Sequence, residues 1–270
     1  MLKWSANLSF LFKELPFVER VQAAADAGFW AVEFGWPADV SLDALVAAQQ
    51  AADVHVPLFN IDAGNLAQGE RGFVNLPTRK SWWRERTELA LELAQRLNAP
   101  CINALAGNDT SEFTRNEQMD CLLENLNWAL PRAEAVGVTV LLEPLNRFES
   151  PRYLIQNTDD ALNVMTLLNS PANLKIQFDI YHTQRNEGNL TKLLQAHATK
   201  IRHIQIADSP DRHEPGTGEI NWRYVLAQVE AIGYEGYIGL EYNPTGTALE
   251  SLAWLPEAAR RECRVGDLRL

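Results

Sequence analysis

The stretch LKIQFDIY (174–181) alternates Ile176, Phe178 and Ile180 with Lys175, Gln177 and Asp179, a period of two that reads as a β-strand with unlike faces. IRHIQIAD (201–208) repeats the pattern, with Ile204 and Ile206 against His203 and Gln205. GYIGLEY (236–242) sets Ile238 and Leu240 against Tyr237, Gly239 and Glu241, and in TVLLEPL (139–145) Leu142 is apolar beside Glu143. Strands covered by helices on both faces are expected to be apolar throughout. Here one set is apolar and the other polar, and each run carries its last polar residue near its C-terminal end. That is the pattern of strands lining the inside of a barrel.

Working outward, WSANLS (4–9), AVEFGW (31–36), VPLFNI (56–61) and CINALA (101–106) bring the count to eight strands, with helical patterns between them. The clearest helix places Met119, Leu122, Leu123, Leu126, Ala129, Leu130 and Ala133 on one face. Thr114–Glu117 and Thr247–Glu250 match the capping box of helix starts. Gly28, Gly137 and Gly233 stand where a left-handed residue ends a helix. Eight strand–helix units of roughly 34 residues predict an α/β fold, a (β/α)8 TIM barrel in a single domain. A doubly wound open sheet is disfavoured because no Gly-rich phosphate loop follows the first strand. The barrel is expected over 1–256, with 257–270 as a charged helix end and frayed tail. The long polar connection DAGNLAQGERGFVNLPT (62–78) follows the third strand, which assigns it to the C-terminal face where active sites and lids are built.

The composition is that of a globular protein, 46% hydrophobic, with enough apolar residues for one large core. With 24 basic against 35 acidic side chains the net charge is −11, which argues against a nucleic-acid partner. The opening MLKWSANLSF has no sustained apolar stretch, so no signal peptide is expected, and no apolar run reaches the roughly 18 residues of a membrane span. Cys101, Cys121 and Cys263 are odd in number and lack CxxC spacing, as reduced, buried thiols of a cytoplasmic protein would be.

Glu143, Asp179, Gln205 and Glu241 lie near the ends of four consecutive strands, spaced by 36, 26 and 36 residues, about one strand–helix unit each. Four oxygen donors converging at a barrel mouth suit a hard divalent cation, Mg2+ or Mn2+, better than Zn2+. The competing reading pairs each carboxylate separately with a rim lysine or arginine. Three carboxylates and an amide in phase on neighbouring strands favour the metal.

At these residues the chain resembles the hydroxypyruvate isomerase family, within the xylose-isomerase-like barrels. The matching segments are WSANLS (4–9), LFN (58–60), AGNLAQGERG (63–72), LLEPLNRF (141–148), LKIQFDIYHTQRNEGNLT (174–191), HIQIAD (203–208), PGTGEIN (215–221) and GLEYNP (239–244). The resemblance implies a metal held by Glu143, Asp179, Gln205 and Glu241, with Glu143 and Glu241 as the catalytic acid/base pair. It also implies the reaction, interconversion of hydroxypyruvate and 2-hydroxy-3-oxopropanoate through a cis-enediolate. The expected partner is therefore a small hydroxy-oxo acid, with no nucleic acid and no membrane; a homo-oligomer is compatible with the same reading. His182, in the DIYH segment, is a candidate to hydrogen-bond a substrate oxygen, and Arg71 in GERG to grip the substrate carboxylate bidentately. Asn7, Asn60 and Asn103 either line the pocket or satisfy loop backbone groups. Glu70, beside Arg71, is expected only to orient it, and Glu33, in phase with the interior on the second strand, is a further candidate carboxylate. His55, His197 and His213 are scattered without ligand spacing, and of Trp82 and Trp83 one is expected inward and the other against a loop or partner.

The chain departs from the family at Gly35-Trp36-Pro37-Ala38-Asp39, where an FPY segment is common, and this bears on substrate size. The nearest rival function is a 2-oxo-tetronate isomerase. A ketose 3-epimerase on the same barrel is disfavoured by Gln205 standing where those enzymes carry histidine. An apurinic-site endonuclease is disfavoured by five histidines and the acidic charge. A non-catalytic sugar-binding barrel is disfavoured by the two intact glutamates.

Overall fold

Residues 1–270, described by a computed structural model, form eight parallel strands. They are β1 (Leu2–Asn7), β2 (Val32–Glu33), β3 (Phe59–Asn60), β4 (Cys101–Asn103), β5 (Thr139–Leu142), β6 (Leu174–Asp179), β7 (Ile201–Ile206) and β8 (Tyr237–Leu240). Their order is β2-β1-β8-β7-β6-β5-β4-β3, so each strand neighbours its sequence successor and β8 returns to β1. Between β2 and β3 the seam is carried by two isolated parallel bridges, Ala31 with His55 and Phe34 with Phe59, and the last two rings stack at 5.7 Å. The barrel is nearly closed, as the period-two strands require.

The helices are α1 (Glu19–Asp26), α2 (Leu42–Ala52), α3 (Lys80–Leu97), α4 (Arg115–Ala135), α5 (Thr158–Leu167), α6 (Ile180–Asn186), α7 (Leu190–His197) and α8 (Trp222–Ala231). In α4 the Thr114 hydroxyl accepts from Glu117 N while Glu117 accepts from Thr114 N at 2.8 Å, and Leu122, Leu126, Ala129, Leu130 and Ala133 are buried. Gly137 ends the segment with φ of 74°. Trp83 packs inward while Trp82 meets Phe73 of the long loop edge-on. All three cysteines are free and buried, and no helix is long and apolar enough to cross a membrane.

Two expectations need correction. Thr247 and Glu250 do close their reciprocal bonds, but onto a single 3-10 turn, Glu250–Leu252, rather than an eighth outer α-helix. Pro256 removes the N–H that a continuing helix would need there. The last outer helix is α8, ahead of β8, and the connection after β6 is split between α6 and α7. The end of the chain is also not frayed. Glu262–Cys263 forms a ninth strand, β9, antiparallel to β1 with Leu2 opposite Cys263. Ala259, Cys263, Val265 and Leu268 are buried among charged neighbours whose abundance disguised them. The Trp4 indole N–H points at Cys263 Sγ, 3.3 Å away, and Trp4 meets Trp254 edge to face at 5.3 Å. The tail straps the N-terminal end of the barrel.

Inside the barrel the two halves differ. On the β3–β5 side Leu58, Cys101 and Leu141 form a small apolar plug. On the other side the interior residues are Ser5, Glu33, Gln177, His203 and Gln205, all buried.

Because Leu268 is packed in the core, Leu268→Ala is expected to cost about 2–4 kcal/mol in urea denaturation. A cost below about 0.5 kcal/mol, the range of a surface position, would show that the tail contributes nothing to the fold.

Candidate active site

Each strand-end residue owes its position to the ladder beneath it. Asp179 ends β6 and caps α6, its Oδ1 accepting from Tyr181 N at 2.7 Å and His182 N at 3.2 Å. Gln205 lies beside Asp179 in register, Glu143 follows β5 directly, and Glu241 extends β8 through a bond from its N–H to Ile206 O. The four predicted donors therefore lie at one end of the barrel, where Glu143, Gln205 and Glu241 line a cavity of about 260 Å³ and Asp179 stands outside its lining.

The carboxylates sit in a space that resists their charge. Burial pushes Glu143 upward, and Asp179 pushes it further. Asp179 is raised by burial despite Arg212 and two backbone N–H groups pulling it down. Glu241 is raised well above the usual carboxylate range, again by burial first, with Arg212 opposing and Glu143 and Asp179 adding to the rise. Asp179 Oδ2 has no hydrogen-bond partner. A buried cluster of this kind could hold a cation. The amide of Gln205 is turned differently from a ligand: its Nε2 donates to Glu241 and Glu33, and its oxygen accepts from Gln177 at 2.6 Å.

His182 places a nitrogen within 4.8 Å of oxygens of both Glu143 and Asp179, yet its tautomer argues against metal ligation. Its Nδ1 accepts the Asn146 backbone N–H at 3.1 Å, so the neutral ring carries its proton on Nε2, 3.7 Å from Asp179 Oδ2. Burial, then Arg212, Arg71 and Arg185, hold its pKa well below the usual histidine value. The ring is a neutral N–H donor at the cavity wall.

Arg212 was not singled out by the sequence, and it is the cation of the site. Its Nη2 donates to Glu241 at 2.6 Å and lies 3.9 Å from Asp179, while Nη1 donates to Glu149 at 3.1 Å. The guanidinium lies over Phe10 and Tyr181. Burial would lower its pKa, but Glu241, Asp179, Glu149 and Glu143 more than offset that. The 207–221 connection that carries it is organised by Asp208, which accepts from Ser209 N, Ile220 N, Gly216 N and the Trp222 indole. Gly218 passes so close that a Cβ would lie 2.1 Å from Ser209 O, which explains the PGTGEIN segment structurally. The length of this connection was the signal available in the sequence.

The asparagines divide. Asn7 donates to both Glu33 and Glu241 at 3.1 Å and also accepts from Ser9 N, so it serves the site and its own loop. Asn103 lies behind Glu143, donating to it at 2.8 Å, rather than on the cavity wall, whereas Asn60 lines the cavity. Arg71 lines it too, held by Leu66 O, Glu70 O and Ser150 Oγ, with Nη2 left unpartnered. Glu70 bonds Asn65 N, bracing the loop. The far half of the 62–78 loop is anchored: Phe73, Val74 and Asn75 are buried, and a Cβ on Gly72 would strike Leu105 O at 2.1 Å. The parts of the loop that border the mouth are Leu66, in the 3-10 turn Leu66–Gln68, and Arg71.

The profile of the family described as xylose isomerase-like TIM barrel matches residues 21–258. Hydroxypyruvate isomerase of Escherichia coli (strain K12) is 39% identical over 255 residues, covering 94% of this chain and 98% of that protein. 2-Oxo-tetronate isomerase of Haemophilus influenzae is 37% identical over 254 residues, covering 94% and 98%. A crystal structure described as an AP endonuclease, family 2, from Brucella melitensis superposes with a TM-score of 0.91 at 37% identity, over 97% of this chain and all of that one.

The depressed pKa of His182 means protonation is disfavoured in the folded protein, so its ring should stay neutral as the pH falls through the ordinary histidine range. Long-range 15N–1H spectra are expected to show the Nε2–H tautomer from about pH 8 down to about pH 6. A titration midpoint near 6.5 would contradict the assignment.

Proposed function

Because the chain belongs to the xylose isomerase-like TIM-barrel family, among hydroxypyruvate and 2-oxo-tetronate isomerases, and is an isomerase, we propose that it interconverts hydroxypyruvate and 2-hydroxy-3-oxopropanoate through a cis-enediolate. The observation that carries this reading is the placement on one cavity wall of Glu143, buried directly after β5, and Glu241, partly buried just beyond β8, their proton affinities raised by their surroundings. Moving a carbonyl between C2 and C3 requires removal of a proton from one carbon and its return to the next. A glutamate of raised pKa holds either protonation state near neutrality, which suits it to both steps.

The other residues bind and orient. Arg71, fixed at Nη1 and Nε with Nη2 unpartnered, takes the substrate carboxylate. His182 donates its Nε2–H to a substrate oxygen, and Phe34, Leu58, Leu105 and Leu145 supply the apolar part of the cavity wall. Glu143, Asp179 and Glu241, with Gln205 beside them, would hold Mg2+ or Mn2+; the unpartnered Asp179 oxygen and the raised carboxylates fit such an ion. When bound, that ion supplies a charge that stabilises the enediolate oxygens. 2-Oxo-tetronate is the second reading, favoured by Gly35 on the cavity wall, where the missing side chain leaves room for another hydroxymethyl group.

Proton exchange in deuterated water tests the reading. Deuterium is expected in hydroxypyruvate or 2-oxo-tetronate, to be lost with chelator, and to fall by about 10²–10⁴-fold in Glu143→Gln. Exchange only with a ketohexose, or near-wild-type activity in Glu143→Gln, would overturn it.

Metal removal should also register in stability. Carboxylates raised on folding stabilise the metal-free protein below their unfolded pKa, and this contribution is lost as the pH rises through the raised values. The thermal shift given by Mn2+ should therefore be larger near pH 8 than near pH 5.5, and EDTA should abolish it. A melting temperature indifferent to Mn2+ at both pH values would mean that no such site exists.

A further inference from the structure

Glu33 is 1% exposed; it accepts from two amides and stands beside an imidazole that is not in hydrogen-bond geometry, with no lysine or arginine bonded to it. Burying a carboxylate in this way is costly unless every oxygen is satisfied. Asn7 Nδ2 at 3.1 Å and Gln205 Nε2 at 2.7 Å both donate to Oε1, and His203 Nε2 stands 2.8 Å from Oε2. Room for the carboxylate exists only because residue 239 is glycine: a Cβ there would lie 2.1 Å from Glu33 Oε1. The barrel does not need a charge at this depth, since its opposite half is closed by Leu58, Cys101 and Leu141. A costly arrangement that the fold does not require points to the site above it.

The connection is direct. The same two NH2 groups that bond Glu33 also bond Glu241 Oε2, Asn7 at 3.1 Å and Gln205 through a short contact. The oxygen end of each amide is fixed as well, Asn7 Oδ1 by Ser9 N and Gln205 Oε1 by Gln177. Each amide thus has one N–H for Glu33 and one for Glu241. We propose that Glu33, with His203 against its other oxygen, is a positioning residue that aims Glu241 by holding Asn7 and Gln205 between the two carboxylates. Without it each amide has a free N–H and can rotate, and Glu241 loses two of its three side-chain partners, keeping Arg212. This rests on the reading of Glu241 as a proton-transferring group.

The test compares wild type with Glu33→Gln, Glu33→Asp, His203→Leu and His203→Gln, the last restoring an N–H toward Glu33. Steady-state kinetics on hydroxypyruvate are read beside the side-chain amide 15N–1H signals of Gln205 and Asn7 in the metal-free protein. Glu33→Gln and His203→Leu should lower kcat by about 10–100-fold with KM nearly unchanged, while Glu33→Asp and His203→Gln recover part of it. In the same two variants the amide protons of Gln205 and Asn7 should lose their protection from solvent exchange. Unchanged amide signals, or kcat per folded molecule within about twofold of wild type, would overturn the positioning role. If Glu33→Gln does not fold, His203→Leu decides by the same readouts, since His203 is away from the cavity. An inactive wild type would refute the functional reading instead, and the amide signals would still decide for or against Glu33.

Discussion

Three carboxylates brought to one buried space repel one another, and the rest of the mouth is arranged around that repulsion. Period-two strands deliver Glu143, Asp179 and Glu241 to the same level of the barrel, where burial penalises each charge and each penalises its neighbours. Arg212 answers part of it from above, at 2.6 Å from Glu241. Backbone N–H groups at the start of α6 answer it at Asp179, and Asn103 answers it at Glu143. What is left over is the capacity to bind a proton or a cation.

The same tension accounts for the unequal barrel interior. Where no carboxylate stands above, the interior closes with Leu58, Cys101 and Leu141. Where Glu241 stands above, it is built of hydrogen-bonding side chains, and Ser5 Oγ, Glu33 Oε2, Gln177 Oε1 and His203 Nε2 are left without a hydrogen-bond partner. A polar network of that kind is rigid when satisfied and unforgiving when one member is removed.

How much of this could be read from the chain follows from the physics of each part. The strand-end residues were legible because alternation is a local property, visible at Asp179 or Gln205 without knowing what lies opposite. The capping box at Thr114 was legible for the same reason. Arg212 was not, because DSPDRHEPG reads as a solvated turn, and only the bonds converging on Asp208 turn it into a scaffold. The tautomer of His182 depends on a backbone N–H thirty-six positions away in the chain. The tail was misread because four buried residues spaced among arginines and glutamates have no period to betray them.

The arginines around His182 have a further effect on how an anion reaches the cavity. Arg71 and Arg212 line the opening of a molecule whose net charge is −11. At a distance a small acid meets a repelling body. Screening in physiological salt confines that repulsion to about 8 Å, so once the acid is near it meets the unpartnered end of Arg71 rather than the charge of the whole surface. Capture should therefore respond to ionic strength in opposite senses, with salt easing the approach and weakening the final grip. The acidic surface acts as a filter whose gap is the barrel mouth.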